Sequence, residues 1–108
     1  MRLAPAALVR QVNWRGRSGR FYALTPERLE TLALHATGLH LLARGTVPMW
    51  VGSAHDVIHD PASRSRFRLA LEAADRAFAV EAGDDDLMRA TIVWDLEGAE
   101  PVAGLSAA

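Results

Sequence analysis

The chain contains no cysteine and, among its 12 basic residues, no lysine. Without cysteine there is no disulfide framework, no thiolate nucleophile and no cysteine-based zinc site, and a cytoplasmic protein is the default expectation. The missing lysine carries less, because a GC-rich genome yields an all-arginine set without selection for the guanidinium fork. No apolar run approaches the roughly 20 residues that a membrane-spanning helix needs. The opening MRLAPAALVRQVNW is broken by Arg10 and Gln11 before an apolar leader core can form, so it does not read as a signal peptide. Low-complexity blocks are absent too.

What is present is the balance of an ordinary globule: 108 residues, 50% hydrophobic and 23% charged. That length suits a single core and excludes a machine with several sites. The expectation is one domain over residues 1–104 with a flexible tail at 105–108. The net charge of −1 conceals a bipolar chain. Residues 1–26 hold Arg2, Arg10, Arg15, Arg17 and Arg20 without a carboxylate, whereas 81–100 hold Glu81, Asp84, Asp85, Asp86, Asp95, Glu97 and Glu100 against Arg89 alone.

Periodicity gives an α+β reading: a small antiparallel sheet from two hairpins, packed by two or three helices. ALVRQVNW and RFYAL flank the glycine-rich turn RGRSG and form the first hairpin. Thr25-Pro26-Glu27 has the composition of a helix start, and Leu29, Leu32, Ala33 and Ala36 recur at helical spacing, which predicts a helix near 26–36. Leu39–Ala43 and Met49–Ala54, joined through Gly45 and Pro48, form the second hairpin. Asp60-Pro61 repeats the cap-then-proline signature, and Phe67, Ala70, Leu71, Ala74 and Phe78 continue a helix over 61–78. Residues 86–97 fit either a helix opened by the aspartate run or a strand around Ile92-Val93-Trp94.

The most chemical-looking string is His55-Asp56-Val57-Ile58-His59. Two histidines one helical turn apart can face one zinc ion while the acid between them activates water. Here the string lies between Gly52 and Pro61, no third ligand is marked downstream, and a loop leading to the Asp60 cap is the simpler reading. Ser53 stands in no nucleophile elbow. The RGRSG turn lacks the lysine and following helix of a phosphate loop, although Arg15, Arg17 and Arg20 give it charge suited to phosphate.

A different set of residues has a familiar order. Gly38-Leu39-His40 and Trp50-Val51-Gly52 are followed by Ser53-Ala54-x-Asp56-Val57, and all are preceded by Trp14-x-Gly16-x-Ser18-Gly19-x-x-Tyr22. This arrangement resembles the GIY-YIG nuclease superfamily over roughly residues 12–72, and weakly to 104. The resemblance implies two tyrosines on adjacent antiparallel strands, an arginine on the next helix and a glutamate binding one divalent metal such as Mg²⁺, together forming a phosphodiesterase site. Carried onto this chain, the tyrosine positions are His40 and Trp50 and the arginine is Arg66, with Arg64 nearby. Histidine can relay a proton, but indole offers only a weak donor. The metal-binding glutamate falls near Thr91–Val93, where no carboxylate stands; Asp95 or Glu97 would serve only after a register shift.

The resemblance therefore implies a scaffold with degenerate catalytic positions, non-catalytic or repurposed. Its partner would be DNA or RNA, bound weakly through Arg15, Arg17, Arg20, Arg64, Arg66 and Arg68. An active metal-dependent phosphodiesterase and a zinc hydrolase are the enzymatic alternatives. The bipolar charge implies a third class, a protein-interaction or assembly module in which the basic hairpin of one molecule meets the acidic 81–100 region of another.

Overall fold

The computed structural model describes residues 10–34 and 38–102. The expected tail at 105–108 and residues 35 and 36 of the expected first helix lie outside them. The fold is α+β. Strands β1 (Val12–Arg15), β2 (Phe21–Glu27), β3 (Leu39–Arg44), β4 (Val47–Gly52), β5 (Arg76–Val80) and β6 (Glu100–Pro101) form one six-stranded sheet in the order β4-β3-β5-β2-β1-β6. Every neighbouring pair is antiparallel. Helices α1 (Ala54–His59) and α2 (Pro61–Ala73) follow β4, and α3 (Asp86–Glu97) follows β5.

Side-chain alternation splits the core into two layers. Leu39, Leu41, Phe78, Val80, Trp14, Tyr22 and Leu24 face α3 and meet Ile92 and Leu96. Leu42, Trp50 and Ala77 face the other way, toward Ala70 and Phe67 of α2. β3 is apolar on both faces for this reason, whereas β1 and β2 alternate. A bulge opposite Leu42/Ala43 lets Met49 and Trp50 both join the α2 layer.

Two expected helices are redrawn. No helix starts at Thr25: β2 runs on to Glu27, pairing Thr25, Pro26 and Glu27 with Ala79, Phe78 and Ala77 of β5. Beyond Leu24 the strand no longer pairs with β1, the one-sided setting in which proline is tolerated. Only a 3-10 turn at Leu29–Thr31 remains of the predicted helix among the described residues. The second helix ends at Ala73 rather than 78. Ala74 adopts an extended backbone (ψ 147°) and the Asp75 amide donates to the Ala43 carbonyl at 3.0 Å, which leads the chain into β5. Phe78, in step with the helical pattern, is instead a sheet residue packed edge-on against Trp14.

The open element 86–97 is helical, with Asp85 accepting from the Leu87 amide. The expected loop at 54–59 is also a helix. Ser53 and Asp56 form a reciprocal capping box, Ser53 Oγ accepting from the Asp56 amide and Asp56 Oδ2 from the Ser53 amide at 2.8 Å. The expected cap at Asp60 is present and accepts from the Ala62 amide at 3.1 Å. No helix among the described residues is long and apolar enough to cross a membrane.

Candidate functional site

The turn between β1 and β2 closes on a carboxylate from α3. Asp95 is 2% exposed, and its Oδ1 accepts from the Ser18 amide at 2.7 Å. Its Oδ2 accepts from Ser18 Oγ and from the Tyr22 hydroxyl, each at 2.7 Å. Gly16 leaves the room: a Cβ there would lie 2.3 Å from Asp95 Oδ1. Burial pushes the Asp95 pKa up, but the hydrogen bonds from Ser18 and Tyr22 and the charge of Arg20 outweigh it, and the net shift is downward. Tyr22 is driven the other way, to about 12, by burial, by its hydrogen bond to Asp95 and by that carboxylate's charge. The Gly, Ser and Tyr of the W-x-G-x-S-G-x-x-Y string thus surround one buried anion, and its Trp14 is the fully buried anchor of the layer beneath.

The same clamp uses the segregated charge. Arg15 pairs with Glu100, and Arg17 Nε donates to the Trp94 carbonyl at 2.8 Å while its guanidinium stacks over the Trp94 ring. Arg20 lies over the Tyr22 ring. The basic hairpin meets the acidic region within the same chain, so part of the charge available to an external partner is already engaged.

His40 and Trp50 occupy facing strands but lie in the interior, 1% and 3% exposed. His40 Nδ1 is 2.7 Å from Glu27 Oε1, two strands away across β5. The small Ala77 and Ala79 on the intervening strand leave the space for that reach. Trp50 Nε1 donates to Ser63 Oγ at 3.0 Å, and its ring packs on Phe67 with centroids 4.7 Å apart. Gly52 belongs to the same packing unit, since a Cβ there would meet Trp50 Cζ2 at 2.6 Å.

Arg66 is exposed and stands apart from His40. It borders a groove along β4, between α3 and the corner formed by α1 and α2. One part of the groove, about 280 Å³, is lined by Val51, Ser63, Arg66, Val93, Trp94 and Glu97 among others. A smaller part, about 190 Å³, continues past Met49, Trp50 and Arg66, and a larger cleft of about 390 Å³ extends toward His55, Asp84, Asp86 and Arg89. Trp50 and Arg66 therefore share a groove with Glu97, whereas His40 turns toward Glu27. Arg64 is occupied locally, its Nη1 donating to the carbonyls of Val57 and Ile58 at 3.0 and 3.1 Å. Arg68 is exposed on α2.

The expected metal ligand finds no counterpart. Asp95 is enclosed by Ser18 and Tyr22, Glu97 shares its part of the groove with Asp56 and Asp60, which are engaged in capping α1 and α2, and among the described residues no three His, Asp or Glu side chains gather where they could hold an ion. The residues present do not fit a catalytic divalent metal, and no hydrolytic step through one follows from the geometry. Compared with family models, curated proteins and solved structures, the chain matches none.

Sequence reasoning missed two residues of weight, Asp95 as a hub and Glu27 as a partner. Asp95 left a signal: it falls on the same helical face as Ile92 and Leu96, where a carboxylate needs donors. Glu27 left none, because its neighbours imitate a helix start.

Proposed function

We propose that the chain is a GIY-YIG-like scaffold that has lost the family's catalysis and serves as a binding module for another protein. The observation that carries the reading is the burial of both residues at the tyrosine positions. His40 and Trp50 are spent on Glu27, Ser63 and Phe67 instead of facing solvent, where a scissile phosphate would arrive. Their placement on paired strands followed by a helix bearing Arg66 agrees with the resemblance in arrangement, while the chemistry has been exchanged for packing.

A protein partner is favoured over nucleic acid by the state of the arginines. Arg15, Arg17, Arg20 and Arg64 all have contacts within the chain, whereas Arg66 and Arg68 stand exposed on α2. Next to the groove, α3 presents Leu87 (76% exposed) and Trp94 (53%) on its outer face, apolar area that a protein partner would cover. Weak binding of DNA or RNA through Arg66 and Arg68 is the second reading.

The test combines cleavage and binding. Labelled single- and double-stranded DNA and RNA incubated with the protein and Mg²⁺ or Mn²⁺ should remain intact, and binding at low salt should not depend on Arg66. Metal-dependent cleavage abolished by His40→Ala would overturn the loss of catalysis. A salt-dependent mobility shift removed by Arg66→Ala/Arg68→Ala would replace the protein partner with a nucleic acid.

A further inference from the structure

The geometry points to a two-histidine chelate on α1, formed by His55 and His59, that takes a borderline transition-metal ion such as Zn²⁺, Ni²⁺ or Cu²⁺. Both side chains are exposed, and their rings stand 4.3 Å apart between centroids, tilted by 41°. The spacing is one helical turn, which brings residues i and i+4 onto one face. A metal held by two imidazole nitrogens at about 2.0–2.1 Å requires those nitrogens roughly 3 Å apart, within reach of rings at this separation through small side-chain rotations.

A helix of only six residues is marginal by itself, so the chelate depends on what holds α1 in place. Its first turn is fixed by the Ser53–Asp56 capping box, and its end by Arg64, whose Nη1 donates to the carbonyls of Val57 and Ile58. The two imidazoles are therefore presented before any metal arrives, which lowers the ordering cost of binding. Asp56, the acid between them, is turned to the Ser53 amide and is engaged in capping. Hence the string that resembles a zinc hydrolase motif lacks its base, and the site it builds is a chelate completed by water. His55 also borders the cleft lined by Asp84, Asp86 and Arg89, where the carboxylates outnumber the one guanidinium and the net negative charge favours cation approach. Imidazole ligands select Zn²⁺, Ni²⁺ or Cu²⁺ over Mg²⁺ or Ca²⁺, so the site stands independently of the metal the nuclease resemblance implies.

Calorimetric titration of the untagged full chain with ZnCl₂, and separately with NiCl₂, tests the assignment. One ion per chain is expected, with affinity falling by about tenfold or more in both His55→Ala and His59→Ala, because a single imidazole forfeits the chelate. His35→Ala should bind as wild type does. Unchanged far-ultraviolet circular dichroism shows that each variant is folded. Substoichiometric Cu²⁺ should broaden the NMR signals of His55, His59 and their α1 neighbours before others. Absence of binding up to about millimolar metal, equal affinity in His59→Ala, loss on His35→Ala instead, or broadening centred on Asp84–Asp86 would each overturn the chelate.

Discussion

Replacing Tyr22 with phenylalanine removes a single oxygen from the buried junction and should cost far more than a surface hydroxyl. The Tyr22 hydroxyl donates to Asp95 Oδ2 at 2.7 Å in a place where Tyr22 is 7% and Asp95 2% exposed. A hydrogen bond to a charged acceptor contributes about 1.5–3 kcal/mol. The pKa of Tyr22 is raised from 10.0 to about 12, first by burial and then by the hydrogen bond and charge of Asp95, so ionising it costs about 2–3 kcal/mol more in the folded protein than in the unfolded chain. Because the folded value lies above the unfolded one, this stability is whole below pH 10 and is lost as pH rises toward 12.

The protein contains one tyrosine, so near-ultraviolet absorbance of tyrosinate reports Tyr22 alone. In the wild type, ionisation should be delayed to about pH 12 and coincide with loss of the circular dichroism signal. In Asp95→Asn the charge is gone while the shape is kept, and the titration should move back toward pH 10. The double variant Tyr22→Phe/Asp95→Asn should lose less stability than the sum of the single changes, since each alone already breaks the bond. Tyrosinate appearing near pH 10 in protein that is still folded, or Tyr22→Phe within about 0.5 kcal/mol of wild type in urea denaturation, would refute the buried anion as a source of stability.

Gly16→Ala should destabilise by about 3 kcal/mol, read in the same denaturation curves, because its Cβ would sit 2.3 Å from Asp95 Oδ1 and must open the clamp. On the acid side the sign reverses. Asp95 has a folded pKa below its unfolded value of about 3.9, so its contribution is present above that value and is lost as pH falls through the lower folded pKa. Asp95→Asn should therefore flatten the acid limb of a pH–stability profile. The two buried tryptophans should respond differently to phenylalanine. Trp50→Phe loses the bond to Ser63 Oγ and costs about 2–3 kcal/mol, whereas Trp14→Phe costs about 1 kcal/mol less. The reason is that the Trp14 indole N–H is buried with no acceptor among the described residues.

Much of the fold was legible in local patterns. The hairpin ending in Trp14 and beginning at Tyr22 and Leu24 follows period-two alternation, and Asp60-Pro61 starts a helix as its composition indicates. The failures came where tertiary pairing outweighed local signals. Thr25-Pro26-Glu27 carries helix-start chemistry, yet β5 supplies three partners there and the chain stays extended. Phe78 fits the helical spacing of 67, 70, 71 and 74, yet its side chain is worth more against Trp14 than on the rim of α2. For the candidate site, the order of motifs identified strands that do face one another, but nothing in one dimension revealed that His40 and Trp50 point inward. Asp95 reads in one dimension as a stray metal ligand, because its three donors, two from Ser18 in the turn and one from Tyr22 in β2, lie more than seventy residues earlier.

The change of partner midway along β2 has a consequence for how the molecule comes apart. Its first four residues pair with β1, and its last three pair with β5. Neither ladder can be pulled away without disturbing a strand that the other needs, and the layer beneath, from Trp14 to Phe78 and Leu96, runs across both. Native-state hydrogen exchange should accordingly find one cooperative opening unit centred on β2 instead of an N-terminal hairpin that frays by itself.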